Sequence, residues 1–291
     1  MNTSLKHLPA EKRAQLQAIT NIIVRSVNPE KVILFGMYDA SHAGVEVPDD
    51  SGLSSLLNGY DLLVIARRGD RRYEHELQDV IESRCRVEAP VTIWVHDIDH
   101  VNKQLSEGHY FFSFMLRDGL LLYDAGIVPL AEGVPPDLTA IRMTAQKDFQ
   151  RWHSQAMAFF KSALFNRQQQ ETRLVIFMLH QAAEHIYQGI LLVFMGYKPC
   201  THNLDKLRRY TNRFSIELAM LFPRNSPSEE NLFRLLLHSY VDARYKEDYR
   251  VTEMELATLT DRVSRLLSVA ERVCRNRFLS LEKMAAYGGV V

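Results

Sequence analysis

The sequence predicts an α+β protein, in which an N-terminal α/β domain with a small mixed sheet precedes an all-α helical bundle. Three observations carry this. Short β-branched and aromatic runs alternate with helical stretches only before residue 128. From residue 139 onward apolar residues recur at helical spacing, with no competing strand-like run. Between the two lies DAGIVPLAEGVPPD (124–137), whose three prolines and two glycines suit a connection and not an element. The expected boundaries are a domain over 1–128, a linker over 129–138 and a helical domain over 139–291.

In the first part, EKRAQLQAITNIIVRSV (11–27) has the apolar period of a helix and stops before Asn28-Pro29. KVILFG (31–36), YDLLVIA (60–66) and APVTIWVHD (89–97) read as buried strands. RRYEHELQDVIESRC (71–85) and DIDHVNKQLSEG (97–108) read as helices. In the second part, helices are expected over 139–165, 170–196, 203–222, 229–247 and 252–286. The second of these, RLVIFMLHQAAEHIYQGILLVFMGY, is apolar nearly all round and should be the central one.

Composition narrows the function classes. Apolar residues make up 46% and charged residues 24% of 291, as in a water-facing protein with a sizeable core. No apolar run reaches the ~18 residues of a membrane span, and MNTSLKHLPAEKR has no signal-peptide core, so a cytoplasmic location is expected. Three scattered cysteines suit reduced thiols better than a disulfide framework or a zinc site. The net charge is zero, but residues 1–128 hold 13 Lys/Arg against 18 Asp/Glu and the remainder 22 against 17. A basic second half suits a nucleic-acid partner, and equally suits two oppositely charged domains that dock.

A strand, a glycine turn and a second strand opened by acids form a chemically useful set. The turn lets backbone N–H groups approach phosphate, and two carboxylates at i, i+2 can hold divalent metals against it. At VILFGMYDASHAG (32–44) and GYDLLVI (59–65) the chain resembles the minimal nucleotidyltransferases of the DNA polymerase β superfamily, over roughly residues 10–125. The resemblance implies a nucleotide-binding set of Gly36, Met37, Tyr38 and Asp61. Yet Met37 stands where the family has serine, Gly59 where it has the first acid, and Thr92 and Trp94 where the third acid belongs. Asp61 alone cannot hold two Mg²⁺ ions, which need several oxygen ligands each. It is therefore expected to be vestigial, with no metal and no cofactor; Mg²⁺ would enter only if Asp49 or Asp50 completed the site.

In the helical half, HQAAEHIYQGILL (180–192), THNLDKL (201–207) and HSYVDARYKEDY (238–249) stand out. A Glu and a Gln on a buried helix need partners, because an orphaned polar group costs ~1–3 kcal/mol. These stretches are similar to the HEPN family: Gln181-Ala182-Ala183-Glu184 to its second-helix signature, Thr201-His202-Asn203-Leu204 to its turn, and Tyr240-Val241-Asp242-Ala243-Arg244-Tyr245 to the motif of one branch. Gln181, Glu184, His202, Arg244 and Tyr245 are expected to form a polar set, with Arg244 pairing bidentately with Glu184 beside a cleft.

Many HEPN domains are metal-independent ribonucleases that carry Arg, four to six residues, then His. Arg234-Leu-Leu-Leu-His238 misses that spacing by one but places both residues on one helix face. The resemblance implies a catalytically inactive nucleotidyltransferase fold fused to a HEPN domain, binding a nucleotide, RNA or a protein partner in a stress-response or toxin–antitoxin-like role. A homodimer through the helical domain is expected. Two alternatives stay open: an active transferase similar to the aminoglycoside nucleotidyltransferases, and a ribonuclease using Arg234 and His238.

Overall fold

The computed structural model describes residues 2–38, 59–85, 89–199 and 201–286, which fall into two compact units meeting in sequence at Asp137 and Leu138. Asp49, Asp50 and the remainder of the loop before Gly59 lie outside the described residues.

The first unit is a four-stranded mixed sheet with helices. Helix α1 (Ala10–Val27) ends where Asn28 turns into the left-handed region, φ 50°, and returns its N–H to Val24 O. Strand β1 (Lys31–Tyr38) lies antiparallel to β2 (Gly59–Ala66), and β3 (Val91–Asp97) runs parallel to β2. Helix α2 (Glu74–Cys85) makes the crossover between β2 and β3. Helix α3 (Ile98–Ser106) starts from an Asp97 side-chain cap on His100 N, and α4 (Tyr110–Asp118) follows.

A fourth strand, β4 (Leu120–Asp124), pairs antiparallel with β1 and completes the order β3-β2-β1-β4. Its run, LLLYD, is one that the strand pattern of the sequence does not single out. Leu16, Ile19, Ile23, Val32, Leu62, Val64, Ile81 and Ile93 form the core under one face of this sheet. Buried Glu30 accepts from the N–H groups of Ile127 (3.1 Å) and Val128 (2.7 Å), and Lys31 Nζ reaches Asp124 Oδ1 at 2.5 Å. These bonds fasten the chain leaving β4 to the start of β1.

The described elements of the second unit are all helices: α5 (Leu138–Gln168), α6 (Thr172–Met195), α7 (Leu204–Asn212), α8 (Ile216–Met220), α9 (Pro227–Tyr245) and α10 (Glu253–Ala286). Helix α6 is the central one, packed by α5, α7, α9 and α10, and nearly every residue from Leu179 to Leu191 is buried. Gly189 lets α5 come close, because a Cβ there would lie 3.1 Å from Trp152 Cβ. The helix expected over 203–222 is two helices. It breaks at Ser215, whose hydroxyl caps α8 by accepting from Glu217 N at 3.2 Å. Among the described residues no helix is long and apolar enough to cross a membrane.

Candidate functional site

In the first unit, Asp61 and Gly36 face each other across β2 and β1, and Thr92 stands beside Asp61 on β3. Asp61 is buried at 2% exposure, whereas Met37 is exposed. Gly59 has a structural cause. Its φ is +154°, and a Cβ there would lie 2.8 Å from Pro90 O, which itself accepts from Tyr60 N. No side chain fits at position 59 without moving the approach to β3, so an acid pair at 59 and 61 is sterically closed. Among the described residues no group of three or more His, Cys, Asp or Glu side chains is placed to hold a metal.

In the helical unit, Glu184 stands at the centre of a hydrogen-bonded network. Its carboxylate accepts from His202 Nδ1 (2.8 Å), Gln188 Nε2 (3.3 Å) and Gln181 Nε2 (3.3 Å). His180 Nδ1 lies 2.9 Å from Leu236 O, so that nitrogen carries the proton, and its Nε2 is 3.6 Å from the carboxylate. Burial pushes the Glu184 carboxyl up, but His180 and His202 together outweigh it and hold the group below its ordinary range. The Thr201–Leu204 turn is explained by the same geometry. His202 ties it to α6, the Asn203 side chain caps α7 by accepting from Asp205 N and Lys206 N, and Leu204 is fully buried.

Arg244 is not Glu184's partner. Its Nε donates to Tyr240 O at 2.6 Å, and its guanidinium lies over the rings of Tyr240 (4.3 Å), Tyr245 (5.0 Å) and Phe177 (5.3 Å). Arg244 and Tyr245 are exposed, so the expected convergence of these two with Glu184 and His202 does not occur. The reason is helical phase: Ala243, adjacent to Arg244, takes the buried position and turns Arg244 to the surface.

Arg234 and His238 are brought together. Both are exposed on α9 and line a cleft of about 410 Å³ with Arg224, Glu230, Asn231 and Leu237. Arg234 Nη2 donates to Asn231 Oδ1 at 2.7 Å, which orients the guanidinium. Arg224, which the sequence reading missed, enters from the loop between α8 and α9. It is held by Asp205 (3.4 Å) and by the face of Phe233 (5.2 Å).

Asp205 also accepts from Arg208 Nη2 at 3.1 Å, and Arg208 is 1% exposed. Burial raises the Asp205 carboxyl, but Arg208, Arg224 and Arg209 outweigh that and keep it below its usual range. No local signal marks Arg224, because its place depends on a salt bridge to a residue about 20 positions earlier.

The fold and the cleft define a helical bundle with an arginine- and histidine-lined groove along one of its helices. The family described as "HEPN domain" matches residues 149–275, so the chain carries a HEPN domain within its helical unit. Comparison of the chain with curated proteins finds no match.

Proposed function

We propose that this is a HEPN-domain RNA-binding protein whose cleft on α9 holds a backbone phosphate. The observation that supports it is the meeting of Arg224, Arg234 and His238 around one open cavity. Two guanidiniums supply charge-assisted donors to phosphate oxygens, and Arg224 is oriented beforehand by Asp205 and Phe233. Glu230 lines the same cleft and opposes an anion at that end, which directs the phosphate toward Arg234 and His238.

A second reading is favoured by exposed His238 beside the arginines: metal-independent cleavage of RNA. The imidazole would take the 2′-hydroxyl proton as the 2′ oxygen bonds to phosphorus and the P–O5′ bond breaks. Arginine would stabilise charge on the phosphorus oxygens, and water would protonate the departing 5′ oxygen, leaving a 2′,3′-cyclic phosphate and a free 5′-hydroxyl. The first unit, in this proposal, is a nucleotidyltransferase-like fold without transferase activity, because position 59 admits no acid. It carries no metal or cofactor in this reading. The helical unit pairs two copies into a homodimer, which sedimentation at micromolar concentration tests.

The deciding experiment titrates fluorescent single-stranded RNA into the full chain in EDTA, with parallel analysis of the RNA ends. Binding that weakens with Arg234→Ala and with added salt supports the first reading. Cyclic-phosphate ends lost in His238→Ala support the second. RNA binding equal in the wild type and Arg234→Ala rejects both.

A further inference from the structure

We infer that the exposed end of α9 beyond the cleft is a base-stacking platform, on which Tyr245, backed by Arg244, seats a base of a single-stranded RNA whose phosphate lies at Arg234 and His238. The inference rests on the RNA-binding reading and deepens it, because it names the form of RNA the surface takes.

Positions 234, 238, 241 and 245 are spaced i, i+4, i+7 and i+11, so they share one face of α9. All four are exposed, Val241 at 52% and Tyr245 at 72%. An aromatic ring this open contributes little to the core, and nothing in the packing of the bundle requires it. Its neighbour Arg244 is held in place by its bond to Tyr240 O, and its guanidinium sits over both tyrosine rings. On the helix face that lines the cleft, an exposed tyrosine with a guanidinium packed on it therefore lies two turns beyond His238. Asp242, the acid on this stretch of α9, is paired with Lys246 at 2.9 Å and so is partly neutralised.

Charge and shape together select the occupant. The cleft's arginines complement phosphates, while the exposed Tyr245 ring, with Arg244 packed against it, complements the π-face of a base. A duplex hides those faces, whereas a single strand exposes them. The eleven residue steps from Arg234 to Tyr245 rise ~16 Å, the length of about five nucleotides at the ~3.4 Å stacked spacing of one strand.

The test uses the full chain and two octanucleotides, one oligoadenylate and one abasic, with binding read by fluorescence anisotropy across a salt series. Tyr245→Ala is expected to weaken oligoadenylate binding roughly tenfold, leaving the salt slope and the abasic affinity unchanged. Tyr245→Phe should bind as the wild type does, because the ring is kept. If Tyr245→Ala binds oligoadenylate normally while Arg234→Ala is weakened, the platform is refuted and the RNA-binding reading stands. If Arg234→Ala also binds normally, that reading falls and takes the platform with it. Equal loss on both oligonucleotides, or conversion of a dimer to a monomer by Tyr245→Ala, overturns the platform in favour of a structural role or a contact between copies.

Discussion

Glu184 and Arg234 sit on helices packed against each other, α6 and α9, yet they meet water in opposite ways. Glu184 is 4% exposed and accepts hydrogen bonds from three side chains, whereas Arg234 is exposed and borders an open cleft. Asp61 in the first unit resembles Glu184 in being shut in, at 2% exposure. An acid in a promising motif is therefore no guide to where ligands enter. A buried carboxylate already bonded to side chains of its own unit fixes helix register, and a partly free cation beside a cavity is what a phosphate can reach.

The sharpest test of this contrast is Glu184→Ala. It deprives buried His180 and Gln188 of their acceptor, and stability should fall by roughly 3 kcal/mol in urea unfolding, at ~1–3 kcal/mol for each orphaned buried group. RNA affinity of the folded fraction should be unchanged. The same carboxyl sets a pH limb. Its folded-state pKa lies below the ordinary 4.5, so its contribution is complete above that value and is lost as pH falls through the lower folded value. Glu184→Gln should flatten the stability-against-pH curve below pH ~4.5, and an unchanged acid limb would remove Glu184 from this role.

Next in size is Gly59→Asp. Its φ of +154° and the 2.8 Å approach to Pro90 O predict a loss of roughly 2–3 kcal/mol with no gain of Mg²⁺-dependent nucleotide transfer. Transfer activity in that variant would show that the first unit is only one residue away from a working site.

Arg234→Ala reverses the pattern. Stability should hold within ~0.5 kcal/mol, while RNA affinity drops roughly tenfold and the salt slope falls by about one. The smallest expected effect is from Arg244→Ala, below ~1 kcal/mol by thermal melting, because only exposed cation–π contacts and one backbone bond are lost. A loss of several kcal/mol would mean that Arg244 has a buried role after all.

Much of this architecture was legible in the chain itself. The all-round apolar character of 172–195 identifies the central helix, and β-branched runs identify three of the four strands. The break in 203–222 was hidden because the apolar period continues through it; the only local sign is Ser215 two residues before Glu217. β4 was missed because five residues of LLLYD carry too little alternation to separate strand from helix. For the site, the i,i+4 spacing of Arg234 and His238 was visible, and so was the need of Glu184 for partners. Of the partners named for it, His202 and Gln181 bond to Glu184 and Arg244 does not.

By itself the sequence determined the periodicities and the pairing of residues one helical turn apart. These depend on local backbone geometry, which spacing encodes directly. Tertiary structure alone decided that Arg244 turns away from Glu184 while His202 and Gln181 bond to it, that a Cβ at position 59 would meet Pro90 O, and that Arg224 joins Arg234 and His238. The first and last of these turn on the rotation of α9 against α6 and on the Asp205–Arg224 contact, set by the packing of distant side chains in three dimensions.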